Sequence, residues 1–352
     1  MTNRRGHDGQ AWLSRAIIPS LEKATRSLLR VAVSAKPLRA AESRLVLRQV
    51  SRSSRNNRLV DRLRWHTNGV AVFDLNRKIP LDYETLKYAV DDRVASITFS
   101  RPERMNAFGQ QTRVELPDAI HRADADPDVR VLVLAGAGGR AFSTGYDHKE
   151  SAQSEKNKTV AEWRERMESA CAFTYSAKNC SKPIIAVIEG YCLAGALELA
   201  QMCDIRYCSD DAKFGALEAR FSHGIATMIM PWIIGNHCRE LIYTGDTIDA
   251  PEALRIGLVT RVFPKADLAA ETMKIAKRMS RVSLSCLQWN KRAISQTFEI
   301  MGQSSALRYG VEAAAIMDAQ SSPEYEKYDE IRRSEGLAKA IQWRDSQFRP
   351  FE

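Results

Sequence analysis

Gly195 and Glu198 stand three positions apart and offer two chemical functions: a backbone N–H able to hold an oxyanion and a carboxylate able to move a proton. The residues from Ala196 to Cys203, ALELAQMC, are strong helix formers, so a helix is predicted to start here. The first amides of a helix have no partner inside it, and the helix dipole makes that end partly positive. Gly195, between Ala194 and Ala196, lets a ligand oxygen approach the backbone closely. Glu198 follows about one turn later, where its carboxylate can hang over the same opening. Taken alone, the pair fits a duller reading equally well. A first-turn glutamate can simply complement the dipole, and small residues at a turn can simply be packing.

The elements that would position this pair are legible around it. Ile184 to Ile188 is a short apolar run bounded by Pro183 and Gly190, and reads as a buried strand. The chain then turns through Gly190–Ala196 into the helix. Upstream, Thr85–Val90 and Arg93–Ser100 read as two strands joined at Asp91-Asp92. The loop SRPERMNAF (100–108) leads to a helix from about Gln111 to Ala123, and Val129–Leu134 is a further β-branched strand. Gly136, Gly138 and Gly139 loosen the turn before AFSTGYDHKE (141–150), and Glu162–Ala177 is helical. A third strand, Ile205–Cys208, runs through Lys213-Phe214-Gly215-Ala216-Leu217 to Glu218. Recurring strand–turn–helix units predict an α/β core of parallel strands, with ligand-binding turns at their carboxyl ends. Beyond Pro251 the chain is mainly helical, with helices at 251–256, 265–281, 285–297 and 309–317, a charged segment from Pro323 to Phe348, and one extended run, GLVTRVF (257–263).

Composition describes an ordinary globular chain, 44% hydrophobic and 27% charged, with no apolar run near the length needed to span a membrane. The seven cysteines show no C-x-x-C spacing and several lie in apolar runs, which favours buried free thiols over zinc or a disulfide framework. G-x-S-x-G, H-E-x-x-H, the P-loop and a strand-linked G-x-G-x-x-G are all absent. The net charge of +9 is unevenly placed: residues 1–80 carry 14 Arg and 3 Lys against 5 acids, and the remaining 272 residues are slightly acidic. That first segment fits a mitochondrial presequence, a nucleic-acid or membrane-surface arm, a disordered extension, or sequence added upstream by a misassigned start.

From about Leu81 to its end the chain resembles the crotonase superfamily of enoyl-CoA hydratases and isomerases. Six pieces fall in family order: SRPERMNAF (100–108), AFSTGYD (141–147), KPIIAVIEGYCLAGALELAQMCDI (182–205), FGALE (214–218), YTGDTIDAPEALRIGLVTRVFP (243–264) and EGLAKAIQWRDSQF (335–348). None decides the match alone; six in register over 272 residues make it specific, and residues 1–80 have no counterpart in it. The resemblance implies a crotonase-like α/β fold of repeated ββα units with a helical C-terminal region. The expected division is an N-terminal extension (1–80), a core (81–264) and a helical region carrying part of the CoA site and the oligomer contacts (265–352).

In that family an acyl-CoA thioester passes through an enolate whose oxygen is held by two backbone amides, each such donor typically worth about 3 kcal/mol. By position these are the amides of Tyr146 and Gly195. The family's hydratases use two glutamates for the water and proton transfers, and the matching positions are Glu198 and Glu218. Isomerases commonly keep one of the pair, so two carboxyls favour hydration. The loop Glu103-Arg104-Met105 occupies the nucleotide-contact position and Lys149 follows the first oxyanion turn, which suggests Arg104 and Lys149 for the phosphates of CoA. Asp147 is expected to brace its turn, and His148 and His223 to flank the site without reacting.

Three departures from the family pattern bear on substrate choice. The usual triple glycine is Ala194-Gly195-Ala196. The Pro-Gly-rich segment after Glu218 is replaced by GIATMIMPWIIG (224–235), which is also shorter. Met228, Ile229, Met230 and Trp232 in it are candidates for an acyl pocket or for plain core. The expected activity is 2-enoyl-CoA hydration, with double-bond isomerisation or thioester hydrolysis as alternatives from the same enolate. A protein binding nucleic acid through residues 1–80 is the alternative from another class. No metal or redox cofactor is expected, coenzyme A being part of the substrate. A homotrimer or dimer of trimers is expected, in a bacterial cytoplasm, or in the mitochondrial matrix if the arm is a presequence.

Overall fold

The structure, a computed structural model, describes residues 63–65, 71–73, 83–147, 150 and 159–351. The chain divides into two compact units, Met1–Pro80 and Leu81–Glu352. In the first, strand β1 (Leu63–Trp65) pairs antiparallel with β2 (Ala71–Phe73), which the composition of this segment did not predict. The readings of the arm as a presequence, a binding arm or a disordered extension otherwise lie outside the described residues.

The second unit opens on the hairpin β3 (Leu86–Asp91) and β4 (Val94–Phe99). Its tight turn puts Asp92 and Arg93 at φ 47° and 69°, so the turn sits one residue later than Asp91-Asp92. There follow α1 (Gln110–Ala125), β5 (Val131–Gly136), β6 (Ala141–Ser143), α2 (Val160–Asn179), β7 (Ile184–Ile188), β8 (Tyr191–Leu193) and α3 (Gly195–Met202). Next come β9 (Ile205–Ser209), β10 (Lys213–Gly215), a 3₁₀ turn at Leu217–Phe221, α4 (Met230–Ile234), α5 (His237–Thr244), β11 (Thr247–Asp249), α6 (Ala250–Arg255) and β12 (Arg261–Phe263). The C-terminal part is helical: α7 (Lys265–Met279), α8 (Leu284–Ile300), α9 (Gln303–Gln320), α10 (Pro323–Ser334) and α11 (Leu337–Phe348).

Two sheets result. The larger has the order β12-β9-β7-β5-β4-β3 and is parallel except at the β3–β4 hairpin. Its central strand β7 is buried along its whole length. Alternate residues go to opposite faces: Ile184, Ala186 and Ile188 join the main core, while Ile185 and Val187 meet Leu268, Ile275 and Ala276 of α7. A strand buried on both faces needs the continuous apolar run that β7 has. Truncating Ile188 to Ala would leave a cavity in this core, at a cost of about 2–5 kcal/mol.

The smaller sheet has the order β11-β10-β8-β6, with β6, β8 and β10 parallel. The units that begin at β5, β7 and β9 each send one long strand to the large sheet and one three-residue strand to the small sheet, and then a helix or turn. The stretch read as a bare turn, Gly190–Ala196, contains β8 and already begins α3 at Gly195. Of GLVTRVF only Arg261–Phe263 is strand, because Leu258 and Val259 N–H bond back to Ala253 O and close the end of α6. The charged C-terminal segment is the helix pair α10 and α11. Six cysteines are buried free thiols and Cys286 is exposed. No helix among the described residues is long and apolar enough to cross a membrane.

Candidate active site

Three positions spread over more than seventy residues converge because β6, β8 and β10 are neighbours in the small sheet. Adjacent strands lie about 4.8 Å apart, so the turns leaving their carboxyl ends share one opening. β6 runs into the turn bearing Tyr146, β8 into Gly195 and Glu198, and β10 into the 3₁₀ turn bearing Glu218. Ala194 N–H bonds Gly215 O (2.8 Å), joining the second and third turns. Gly145, at φ +85°, packs so closely on the second turn that a Cβ there would lie 3.0 Å from Gly195 N. Only glycine serves at that position, for its φ and for the space.

The amides follow from this register. Tyr146 bridges Phe108 in parallel fashion, and the bonds of that bridge are Phe108 N–H to Gly145 O (2.8 Å) and Asp147 N–H to Phe108 O (3.1 Å). In a parallel bridge the residue between two bonded neighbours points its own N–H away from the partner strand. Gly195 N–H is at the start of α3, ahead of the first intrahelical bonds, which Leu197 and Glu198 make to Ala194 O. Among the described residues neither the Tyr146 nor the Gly195 amide has a backbone acceptor. Both residues line a single cavity with Glu198, Glu218, Thr227 and His223.

The Tyr146 ring is wedged between Phe108 and Phe173, with centroids 6.1 and 6.3 Å away, and the Arg113 guanidinium lies 5.6 Å above its centroid. Burial raises its phenol above the ordinary range, so the side chain stays neutral. Asp147, in contrast, is a brace: its buried carboxylate takes Arg104 Nη2 at 2.7 and 2.8 Å and Arg101 Nη2 at 3.2 Å.

Arg104 is thus engaged with the Tyr146-Asp147 turn and does not line the cavity. Met105, left-handed at φ 52°, accepts from Thr144 N–H through its carbonyl and ties the same loop to β6. Buried Asn106 completes the tie, donating to Ala137 O (2.9 Å) and Ala141 O (2.8 Å). His148 and Lys149 lie outside the described residues.

Glu198 and Glu218 meet in the cavity with different surroundings. Glu198 Oε2 accepts Thr227 N–H at 2.8 Å, a bond that favours the carboxylate and partly offsets its burial, which raises its affinity for a proton. Glu218 has no such donor at Oε2. Burial first, and the Glu198 charge second, push it up to about 8. Two neighbouring carboxyls in a poorly solvated site cannot both ionise cheaply. The two therefore titrate as a pair, in which the Thr227 N–H favours the anion at Glu198 and the lack of a donor at Oε2 favours the proton at Glu218.

Among the cavity residues that sequence reasoning missed are Arg113 from α1, Trp163 and Arg166 from α2, and Asp318 from α9. None carries a local motif, and tertiary packing alone brings them in. His223 belongs to the wall itself, with Nδ1 3.3 Å from Asp318 Oδ2. The proposed acyl-pocket residues are core: Ile229 and Met230 are buried, Met228 and Trp232 pack against the core, and none lines the cavity. No group of three or more His, Cys, Asp or Glu side chains among the described residues could hold a metal ion.

The fold and site together define an acyl-transforming α/β class, in which backbone donors and a carboxyl pair share one cavity. The family model described as enoyl-CoA hydratase/isomerase matches residues 89–332. A probable enoyl-CoA hydratase of Mycobacterium bovis is 33% identical over 280 residues, covering 76% of this chain and 99% of that protein. A crotonyl-CoA hydratase of Syntrophomonas wolfei is 32% identical over 220 residues, covering 61% and 82%. The crystal structure of an enoyl-CoA hydratase/isomerase from Xanthobacter autotrophicus superposes with a TM-score of 0.73 at 35% identity, covering 76% of this chain and 99% of that one. The chain belongs to the enoyl-CoA hydratase/isomerase family, with the crotonase fold.

Proposed function

We propose that this protein hydrates 2-enoyl-CoA thioesters, with Tyr146 and Gly195 N–H holding the thioester oxygen. The observation that carries the reading is the unequal carboxyl pair, Glu198 bonded by Thr227 N–H at 2.8 Å and Glu218 buried beside it with no donor at Oε2. Hydration uses both. Glu198 accepts a proton from water as the water oxygen bonds to C3. The C2–C3 π electrons move into the enolate, whose charge the two amides stabilise. The enolate then collapses with transfer of the Glu218 proton to C2. The proton gained by Glu198 returns to the pair's resting position, so the balance is one water added and no redox change.

An isomerase needs one carboxyl to carry a proton between carbons, and retention of two supports hydration over it. The relatives' hydratase names point the same way. We further read the protein as a homo-oligomer: Trp289, Ile294, Ile300, Met301 and Tyr309 on and between α8 and α9 are large apolar side chains left exposed in the single chain.

Turnover of a panel of trans-2-enoyl-CoA thioesters tests the reading, with products identified by mass. A 3-hydroxyacyl thioester, heavier by one water, is expected. A product of unchanged mass with a shifted double bond would replace hydration by isomerisation, and free acid plus thiol would replace it by hydrolysis.

A further inference from the structure

We infer that Asp318, on helix α9 of the C-terminal region, is a positioning residue for both carboxyls of the cavity. The inference rests on the two-carboxyl reading and adds to it a residue that acts through the segment joining the two. One short segment links the pair. At its start, His223 N–H bonds Glu218 O (3.0 Å); at its end, Thr227 N–H bonds Glu198 Oε2 (2.8 Å). Whatever fixes the middle of this segment sets the separation and orientation of both carboxyls.

Asp318 fixes it. Its Oδ1 accepts Gly224 N–H at 3.0 Å and its Oδ2 lies 3.3 Å from His223 Nδ1, with the side chain only 3% exposed. The approach is unusually close. A Cβ on Gly224 would lie 2.4 Å from Ala314 Cα, and one on Gly310 would lie 3.0 Å from Ala226 O. Gly310, Ala314 and Asp318 follow at intervals of four, so one stripe of α9 faces the segment. Two small residues let the backbone come down on the helix, and the third clamps it. A buried carboxylate is costly to hold unless it is bonded, and a plain tether could be an asparagine.

The charge has a use that an amide would not serve. Glu218 faces Glu198 from α3, Asp318 from α9 and His223 from the segment. Arg113 and Arg166 line the same cavity from α1 and α2, and the Tyr325 ring of α10 packs on His223. Asp318 adds to Glu198 in favouring the protonated form of Glu218. Helix α9 thus fixes where the proton donor sits and adds, after burial and Glu198, to its hold on the proton.

The test follows Glu218 directly and does not depend on turnover. Full-length protein carrying ¹³C-labelled glutamate carboxyls is titrated by NMR, with the Glu218 resonance assigned by its loss in Glu218→Gln. Asp318→Asn keeps an acceptor for Gly224 and removes the charge, and is expected to lower the Glu218 titration by about half a pH unit or more. The alkaline fall of kcat/KM should move the same way, with KM for the thioester changed less than about twofold. Asp318→Ala also loses the Gly224 bond and should lower kcat roughly tenfold or more. Glu312→Gln, on the same helix but paired with Arg164 at the surface, should change neither reading. Parental Glu218 titration in both Asp318 variants would overturn the inference. If the parent hydrates no enoyl-CoA, the proposed activity falls, and the titration still decides the role of Asp318.

Discussion

The Tyr146 ring lies against the face of Gly195 from which a side chain would project: a Cβ there would sit 2.6 Å from Tyr146 Cε2 and 2.8 Å from Cδ2. Two residues proposed to act through their backbone amides are thus held together by a ring and by the lack of a side chain. The ring cannot swing away freely, being packed between Phe108 and Phe173. Gly195→Ala should therefore push the two amides apart and lower kcat by roughly 10²-fold, the cost of one lost oxyanion donor. Tyr146→Ala alone keeps its amide and should be milder. The double change removes the clash and should recover part of the loss. Multiplicative effects in this double-mutant cycle would show that the ring does not couple the two donors.

Ala194 is a second consequence of the same turn. It adopts φ 52° and ψ −130°, a region populated almost only by glycine and costly for other residues by about 1–3 kcal/mol. Ala194→Gly relieves that strain and concedes about 0.5–1 kcal/mol of extra chain entropy in the unfolded state. A net gain of about 1 kcal/mol is expected, read as a higher urea midpoint at unchanged slope. An unchanged or lower midpoint would mean that the surrounding contacts already hold the alanine without strain.

The parts of this molecule that were legible in advance are those specified locally. The strand Ile184–Ile188 was read residue for residue, because a continuous apolar run between Pro183 and Gly190 leaves little else to choose. The small sheet was not read, although it is what assembles the site. Ala141–Ser143, Tyr191–Leu193, Lys213–Gly215 and Thr247–Asp249 are three residues each, too short to display alternation. Gly195 and Glu198 were picked out at a helix start and Tyr146 and Glu218 through motif resemblance, and the structure places all four on one cavity. Asp318 and Arg113 carried no signal, since each arrives on a helix whose relation to the site is purely tertiary. The ion pair of Arg104 with Asp147 was not legible either, because sequence does not reveal that Asp147 folds over against its guanidinium.

The elevated Glu218 makes stability depend on pH in a definite direction. Its affinity is pushed from the ordinary 4.5 up to about 8 in the folded protein, so between those values the native state binds the proton and the unfolded chain releases it. Its contribution to stability is thus fully present below about pH 4.5 and is lost as pH rises through about 8. Glutamine cannot ionise. Glu218→Gln should melt higher than the parent at pH 8 and at a similar temperature near pH 4, each kcal/mol relieved being worth roughly 2–4 °C. A melting difference independent of pH would contradict the assignment of the proton to Glu218.

The basic arm is predicted to be dispensable for catalysis. The family match spans 89–332 and the excess positive charge lies wholly within residues 1–80. A chain beginning at Leu81 should be soluble and keep the parent's kcat and KM. Loss of either would tie residues 1–80 to the second unit. A loss of salt-sensitive RNA binding with unchanged turnover would instead assign the arm a separate role.

The decisive experiment on the carboxyl pair separates two tasks that hydration requires and isomerisation does not. A water must be deprotonated at C3 while a proton is delivered to C2. In the proposed mechanism Thr227 N–H keeps Glu198 as the acceptor, and the unpartnered Oε2 of Glu218 keeps it as the donor. Glutamine preserves the shape of either side chain and can still be bonded by Thr227, but it neither takes nor gives the proton. General acid–base catalysis is worth about 10²–10⁴-fold, so each single Glu→Gln change should lower kcat by that order. The two act as a unit, and the double variant should lose far less than the product of the single losses. Thioester affinity should survive in all three, because the oxyanion amides are untouched. The pH profile adds a distinction: Glu218→Gln should abolish the alkaline limb, which belongs to the donor, along with most of the rate. If Glu198→Gln is silent while Glu218→Gln is inactive, one carboxyl suffices and the enzyme shifts double bonds without adding water.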